Sequence, residues 1–161
     1  MRKLYFIALL IIFGSTLTAS AQRVALEERI PKIKTDQWLD GKAPEKAKFT
    51  YIEFAYSKTI PCIQTFLKIK EGESHFNKDL RAIIITKESH EQIGDELRNC
   101  AGEYIHVAFD PDGEIFRTFG IRYVPFGIIV DQRRRVLWFG NPTTLSNDFS
   151  NKIKPLFNDT H

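Results

Sequence analysis

The chain has 161 residues, 23 of them basic and 20 acidic, with 13 phenylalanines and two cysteines. This is the length of one domain, with enough apolar content to bury a real core. The near-balance of charge gives no electrostatic basis for nucleic-acid binding.

Met1-Arg2-Lys3 is followed by an apolar run from Leu4 to Phe13 and by small residues ending Ala19-Ser20-Ala21. A charged start, an apolar run too short to span a bilayer and an Ala-x-Ala site mark a secretory signal peptide over residues 1–21. The alternative is that the segment stays as an N-terminal anchor. Cleavage after Ala21 leaves 21 basic against 20 acidic residues, a formal net charge of +1. No cysteine follows the apolar run to take a lipid, and no second long apolar run follows. The expectation is an exported protein, periplasmic or secreted, without a stable membrane span.

Residues 22–48 are charged and aperiodic, broken at Gly41 and Pro44, with Trp38-Leu39 the strong apolar pair. They read as a lead-in arm with a short strand packing through Trp38, ahead of a domain over 49–161. Phe49 to Ala55, dense in aromatic and β-branched residues, predicts a buried strand. Thr59 then stands as an N-cap, with Pro61 in the first turn and Cys62 at the third position of a helix running to about Lys70. Ala82 to Thr86 has the continuous apolar character of a parallel-sheet strand. Ser89 with Gln92 has capping-box spacing and predicts a helix ending near Cys100. Tyr104 to Phe109 predicts a strand, Asp110-Pro111-Asp112-Gly113 a turn, and Glu114 to Phe119 a short helix stopped by Gly120. Pro125 to Val130 and Val136 to Phe139 predict a hairpin. Its turn carries Arg133-Arg134-Arg135, which reads as a solvated basic cluster. Thr144 to Phe157 predicts a closing helix. The order β-α-β-α-β-α-β-β-α is an α/β fold, a central mixed sheet flanked by helices.

Two stretches resemble the thioredoxin-like superfamily, specifically its exported TlpA/ResA-like branch, over roughly residues 49–157. The first is Glu53-Phe54-Ala55 followed by Thr59-Ile60-Pro61-Cys62. The family pattern there is acid-Phe-Trp-Ala-x-Trp-Cys-x-Pro-Cys, so Thr59 stands at the attacking cysteine and Lys58 at a tryptophan. The second runs from Phe119 to Asp131 and matches aromatic-Gly-Val-x-x-x-Pro before an apolar strand and Asp. The resemblance implies a thioredoxin-like fold, a cis peptide at Pro125 facing the cysteine motif, and thiol–disulfide exchange on extracytoplasmic proteins.

The candidate catalytic residues are Cys62, Thr59, Glu53 and Lys58. A thiol in the first turn of a helix feels the dipole and backbone N–H groups, which favour thiolate, and Lys58 adds to this. In the family the second cysteine of the motif is the more shielded one with the higher pKa. Cys62 is thus either a reactive centre or a packed thiol. Thr59 is either an N-cap or a hydroxyl that bonds Cys62 or a substrate. Glu53 corresponds to the family's buried acid behind the second cysteine, with a raised pKa suited to taking the Cys62 proton. The other reading is a partly solvated glutamate near the sheet edge. Val124, Pro125, Ile60 and Pro61 are the candidate substrate-binding residues, with the strand edge beside Pro125 open to an extended peptide.

Cys100 lies at a helix end that leads into a strand, the opposite end of a parallel sheet from Cys62. A bridge needs Cα atoms within about 7 Å, so no disulfide within the chain is predicted, and Cys100 reads as a buried small hydrophobe. His75, His90, His106 and His161 lack metal-ligand spacing, and no metal or other cofactor is called for. Three functions follow, in order: a single-cysteine thiol–disulfide exchange protein with protein or peptide thiols as partners, a non-catalytic peptide-binding module, and a one-cysteine peroxidase. Thr-x-x-Cys is also the peroxiredoxin pattern. That family, however, has a proline where this chain has Ala55 and an arginine where it has Pro125.

Overall fold

A computed structural model describes residues 24–144. The predicted signal peptide and all but the first residue of the predicted closing helix lie outside that range. Five strands and three α-helices alternate: β1 Phe49–Phe54, α1 Ile60–Glu71, β2 Leu80–Thr86, α2 Asp95–Cys100, β3 Ile105–Phe109, α3 Glu114–Phe119, β4 Phe126–Asp131 and β5 Val136–Gly140. The sheet order is β3-β2-β1-β4-β5. β1, β2 and β3 are parallel, and β4 runs antiparallel to β1 and to β5. This is the mixed sheet that the alternation of apolar runs predicts, with β1 at its centre.

The two-residue period of each strand divides the core into two layers. Tyr51, Ala82, Ile84, Val107 and Ile129 face Cys62, Phe66 and Ile69 of α1 and Leu97 and Cys100 of α2. Ile52, Phe54, Ile83, Ile85 and Ile128 face Ile115, Phe116 and Phe119 of α3. The arm closes the second layer, because Val24 and Ile30 are buried there. It also protects both sheet edges. The Glu27 and Ile30 N–H groups donate to Val136 and Arg134 carbonyls beside β5, while the Leu39 N–H donates to Val107 and Phe109 to Gln37 beside β3. Edges left open in this way would otherwise pair with other chains.

Three expectations need correction. β2 starts two residues earlier than its apolar run, at Leu80 and Arg81. Arg81 is buried in spite of its charge, paired with Glu45 at 3.1 Å and with its guanidinium 5.7 Å from the Tyr104 ring centre. Next, the Ser89–Gln92 contact forms, with the Ser89 N–H donating to Gln92 Oε1 at 2.9 Å. It closes a turn, however, and does not open a helix: α2 begins only at Asp95. The Gly94 N–H at the true start is held by Ser57 Oγ at 2.8 Å, a contact made across the fold. Finally, the basic turn is only partly solvated, as described below.

Candidate functional site

β1 ends at Phe54 and β4 begins at Phe126, and these two residues are partners in the register. The loop carrying Thr59 and the Val124–Pro125 peptide therefore leave from the same end of adjacent strands. The Val124–Pro125 bond is cis. Pro125 is buried and Val124 half-buried, while Pro61 is exposed and Ile60 is 73 % exposed. Tyr123, not singled out in the sequence, is 51 % exposed and stands edge-on to Phe126 at 5.3 Å.

Cys62 occupies the third position of α1, after Ile60 and Pro61. Pro61 lacks an N–H, which the first turn of a helix does not need. Thr59 has extended N-cap backbone angles but makes no side-chain cap. Its exposed hydroxyl donates to the Tyr56 carbonyl at 3.3 Å. Position and capping bond are thus separated, because the hydroxyl turns back along the loop.

The sulfur of Cys62 is fully buried and accepts from the Tyr56 N–H at 3.5 Å. Burial pushes its pKa up; the Thr59 hydroxyl and the Tyr56 N–H pull it down, and the charges of Glu53 and Glu88 push it up again. The expected thiolate-favouring start of the helix is outweighed by desolvation, so the resting group is the neutral thiol. Lys58 is exposed and does not rank among these leading influences.

Glu53 sits on the central strand with no exposed surface, which excludes a partly solvated residue at the sheet edge. Its side chain points with Tyr51 into the α1 layer. The Tyr51 hydroxyl donates to Oε2 at 2.5 Å, and Thr65 Oγ1 contacts Oε1. Burial raises the Glu53 pKa from 4.5 to about 7, against the opposing pull of these two hydroxyls. The same Thr65 oxygen lies 2.7 Å from the Cys62 carbonyl. A hydroxyl has one proton and a carbonyl can only accept. When Thr65 donates to Cys62, the proton in its contact with Glu53 must come from Glu53. When Glu53 ionises, Thr65 turns its proton to the carboxylate and releases the carbonyl. The protonation of Glu53 is thereby coupled to the backbone of Cys62 itself. Gly127, the register partner of Glu53, leaves room for this arrangement. A Cβ there would stand 3.1 Å from the Tyr51 hydroxyl and 3.0 Å from Trp138.

A second acid was not legible in the sequence. Glu88 accepts the Ser57 N–H at 2.6 Å and the Ser57 hydroxyl at 2.8 Å, and also the Thr86 hydroxyl at 2.9 Å. Ser57 and Thr86 are fully buried. This clamp fixes the loop between β1 and α1, and so the place of the sulfur. The partners are 31 residues apart, and no local pattern joins them.

The second cysteine, Cys100, is buried like Cys62. Both belong to one apolar layer, and Cys100 Sγ donates to the Phe66 carbonyl at 3.6 Å, one helical turn beyond Cys62. Both are free. Burial pushes the Cys100 thiol up to about 12, as suits a small hydrophobe. Among the described residues there is no cluster of three or more His, Cys, Asp or Glu that would hold a metal.

No protein-family model matches the sequence, and no curated protein matches it. Solved structures do. One is a thioredoxin-like protein from Aeropyrum pernix, 15 % identical, covering 74 % of this chain and 86 % of its own, with a TM-score of 0.60. Another is the thioredoxin domain of a thiol-disulfide oxidoreductase from Bacteroides vulgatus, 14 % identical, covering 83 % and 98 %, with a TM-score of 0.64. A third is the exposed lipoprotein thioredoxin of Streptococcus pneumoniae, 18 % identical, covering 73 % and 96 %, with a TM-score of 0.55. The fold is thioredoxin-like. The described residues place a thiol in the first turn of α1, a buried acid on β1 and a cis proline just before β4. They do not include a second thiol at Thr59. Among the described residues, no helix is long and apolar enough to cross a membrane.

Proposed function

We propose that this is an exported protein of the TlpA/ResA-like type that exchanges disulfides with extracytoplasmic proteins or peptides through the single thiol of Cys62. The observation that carries the reading is the buried carboxyl of Glu53, joined through Thr65 to the backbone carbonyl of Cys62. A carboxyl buried without a counter-charge is expensive to keep, and the proton chemistry of a thiol gives it a purpose. Glu53 in its ionised form takes the Cys62 proton, and the thiolate attacks one sulfur of a partner disulfide. The new S–S bond joins Cys62 to the partner, and the other partner sulfur leaves as a thiolate that is then protonated. Thr59 offers no second sulfur, so the mixed disulfide persists until an external thiol displaces the partner. In this role Thr59 steadies the loop and the forming thiolate, and Lys58 stays at the rim. Ile60, Pro61, Val124 and Pro125 form the surface that receives the partner, joined by Tyr123. Residues 1–21 are the export signal, 22–48 the arm and 49–161 the thioredoxin-like domain.

A second reading is favoured by one observation. Cys62 has no exposed surface, while Ile60 ahead of it at the start of α1 and Tyr123 ahead of the cis proline are exposed, the pattern of a peptide-binding surface over a silent thiol. A peroxidase is less well supported, since peroxide needs access to a thiolate. Intact-mass spectrometry after incubation with glutathione disulfide separates the first two. The exchange reading predicts a single glutathione adduct on native protein, lost in Cys62→Ser and retained in Cys100→Ser. An adduct that forms only on unfolded protein would leave the binding module.

A further inference from the structure

Arg134 is an arginine where the backbone favours glycine. It lies in the β4–β5 turn with φ of 64°, the left-handed region in which a side chain crowds its own carbonyl. Its N–H donates to the Asp131 carbonyl at 2.8 Å, and its carbonyl accepts from the Ile30 N–H at 3.0 Å. These bonds hold the turn and the arm together, and a glycine would make them equally well. The neighbouring arginines point elsewhere. Both are exposed; Arg135 pairs with Asp131 at 2.8 Å, and the carbonyl of Arg133 accepts from Arg29. The Nε of Arg134, by contrast, is buried and has no hydrogen-bond partner. The charge is therefore kept at a strained position without any partner in the described fold.

Arg134 is one of the residues that line a cavity of about 430 Å³ between the arm and α3. Lys32, Lys34 and Glu114 supply the rest of its charge, Pro31, Ile115 and Phe119 its apolar surface, and Thr118 a hydroxyl. Three cations face one acid there, and none of the four takes part in the ion pairs among the described residues. The volume lies within the range of small-molecule sites. The net positive lining is matched by a singly charged headgroup better than by a neutral one, and the apolar lining requires a hydrophobic body. We propose that this cavity, on the sheet face away from Cys62, binds a carboxylate carried on a compact apolar body, with Arg134 as the headgroup anchor and Lys32 and Lys34 at the rim. A short fatty acid and the C-terminal residue of a polypeptide both present this chemistry.

The test is a titration of the isotopically labelled full chain followed through its backbone amide resonances. The probes are octanoate and N-acetylphenylalanine, with octanol and N-acetylphenylalaninamide as uncharged counterparts. Saturable shifts at residues 31–34, 114–119 and 134 with at least one acid, absent with its uncharged counterpart, are expected. The stronger acid identifies the source, fatty acid or chain terminus. Arg134→Gln is expected to weaken binding by roughly tenfold or more, as the loss of a charged hydrogen bond does, while Arg133→Gln leaves it unchanged. Arg134→Gly should lose binding equally and fold at least as stably. No saturable shift with either acid, equal shifts with the uncharged probes, or an Arg133→Gln variant as weak as Arg134→Gln would each overturn the proposal.

Discussion

Glu53 and Arg134 are both charged residues set against the core, on opposite faces of one sheet, and their surroundings differ. Glu53 is fully enclosed and both of its oxygens are bonded, by Tyr51 and Thr65. Arg134 is half-buried, lines a cavity, and keeps a buried Nε without a hydrogen-bond partner. An acid without a counter-cation in an apolar layer moves its pKa towards neutrality and becomes a proton store. Arg134 shares its cavity with Lys32 and Lys34 against the one acid Glu114, the charge balance behind the proposed anion site. On the proposed readings, one face of the sheet moves a proton and the other holds an anion.

The largest expected effect follows from the Glu53 end. Its folded pKa, about 7, lies above its ordinary value of 4.5. The folded chain therefore binds more protons than the unfolded one between these values. The resulting stability is fully present below pH 4.5 and is lost as pH rises through 7. The full span corresponds to about 3 kcal/mol. Urea unfolding at pH 5 and pH 8 should show this loss, and Glu53→Gln should remove most of it.

Next in size is Gly127→Ala. The added methyl would press on Tyr51 and Trp138 and push the Tyr51 hydroxyl off Glu53. The expected loss is about 1–3 kcal/mol, readable by thermal unfolding. Because the Tyr51 bond pulls the Glu53 pKa down, its loss should also move the carboxyl titration to higher pH, measurable by NMR. Ser57→Ala comes third. It leaves the Gly94 N–H and one Glu88 oxygen without their partner and should cost about 1–2 kcal/mol. It should also broaden the Cys62 signals as the loop loosens. Smallest is Arg134→Gly. Relief of the left-handed strain against a more flexible unfolded chain predicts a change within about 1 kcal/mol, towards greater stability. The opposite signs of Gly127→Ala and Arg134→Gly would sharpen the contrast between a packed face and an open one.

The sheet was legible because its strands are short apolar runs with the right period, although β2 extends back from Ala82 to Leu80 and β3 and β4 begin one residue later than Tyr104 and Pro125. Glu53, Cys62 and Pro125 were legible as positions because they sit in motifs with fixed spacing. Their electrostatics were not. A helix start predicts a thiolate, but the sulfur also feels burial and Glu88, which arrives from another strand. Lys58, the neighbour in sequence, is less important than an acid far along the chain. Ser89 has the spacing of a cap, yet Gly94 and Ser57 decide where α2 begins. Arg134 reads as one of three equal arginines until the left-handed backbone separates it. For the thiol and for the start of α2, a contact distant in sequence overrides a local rule.

Glu53 and Cys62 are proposed to act as one proton-handling unit, and the pH dependence of Cys62 alkylation in the folded full chain tests this directly. With Cys100→Ser as background, the rate should remain low through neutral pH, as a buried neutral thiol requires. It should also show an inflection near pH 7, and Glu53→Gln should abolish that inflection. A thiol that reacts fully at pH 6, or a profile unchanged by Glu53→Gln, would contradict it.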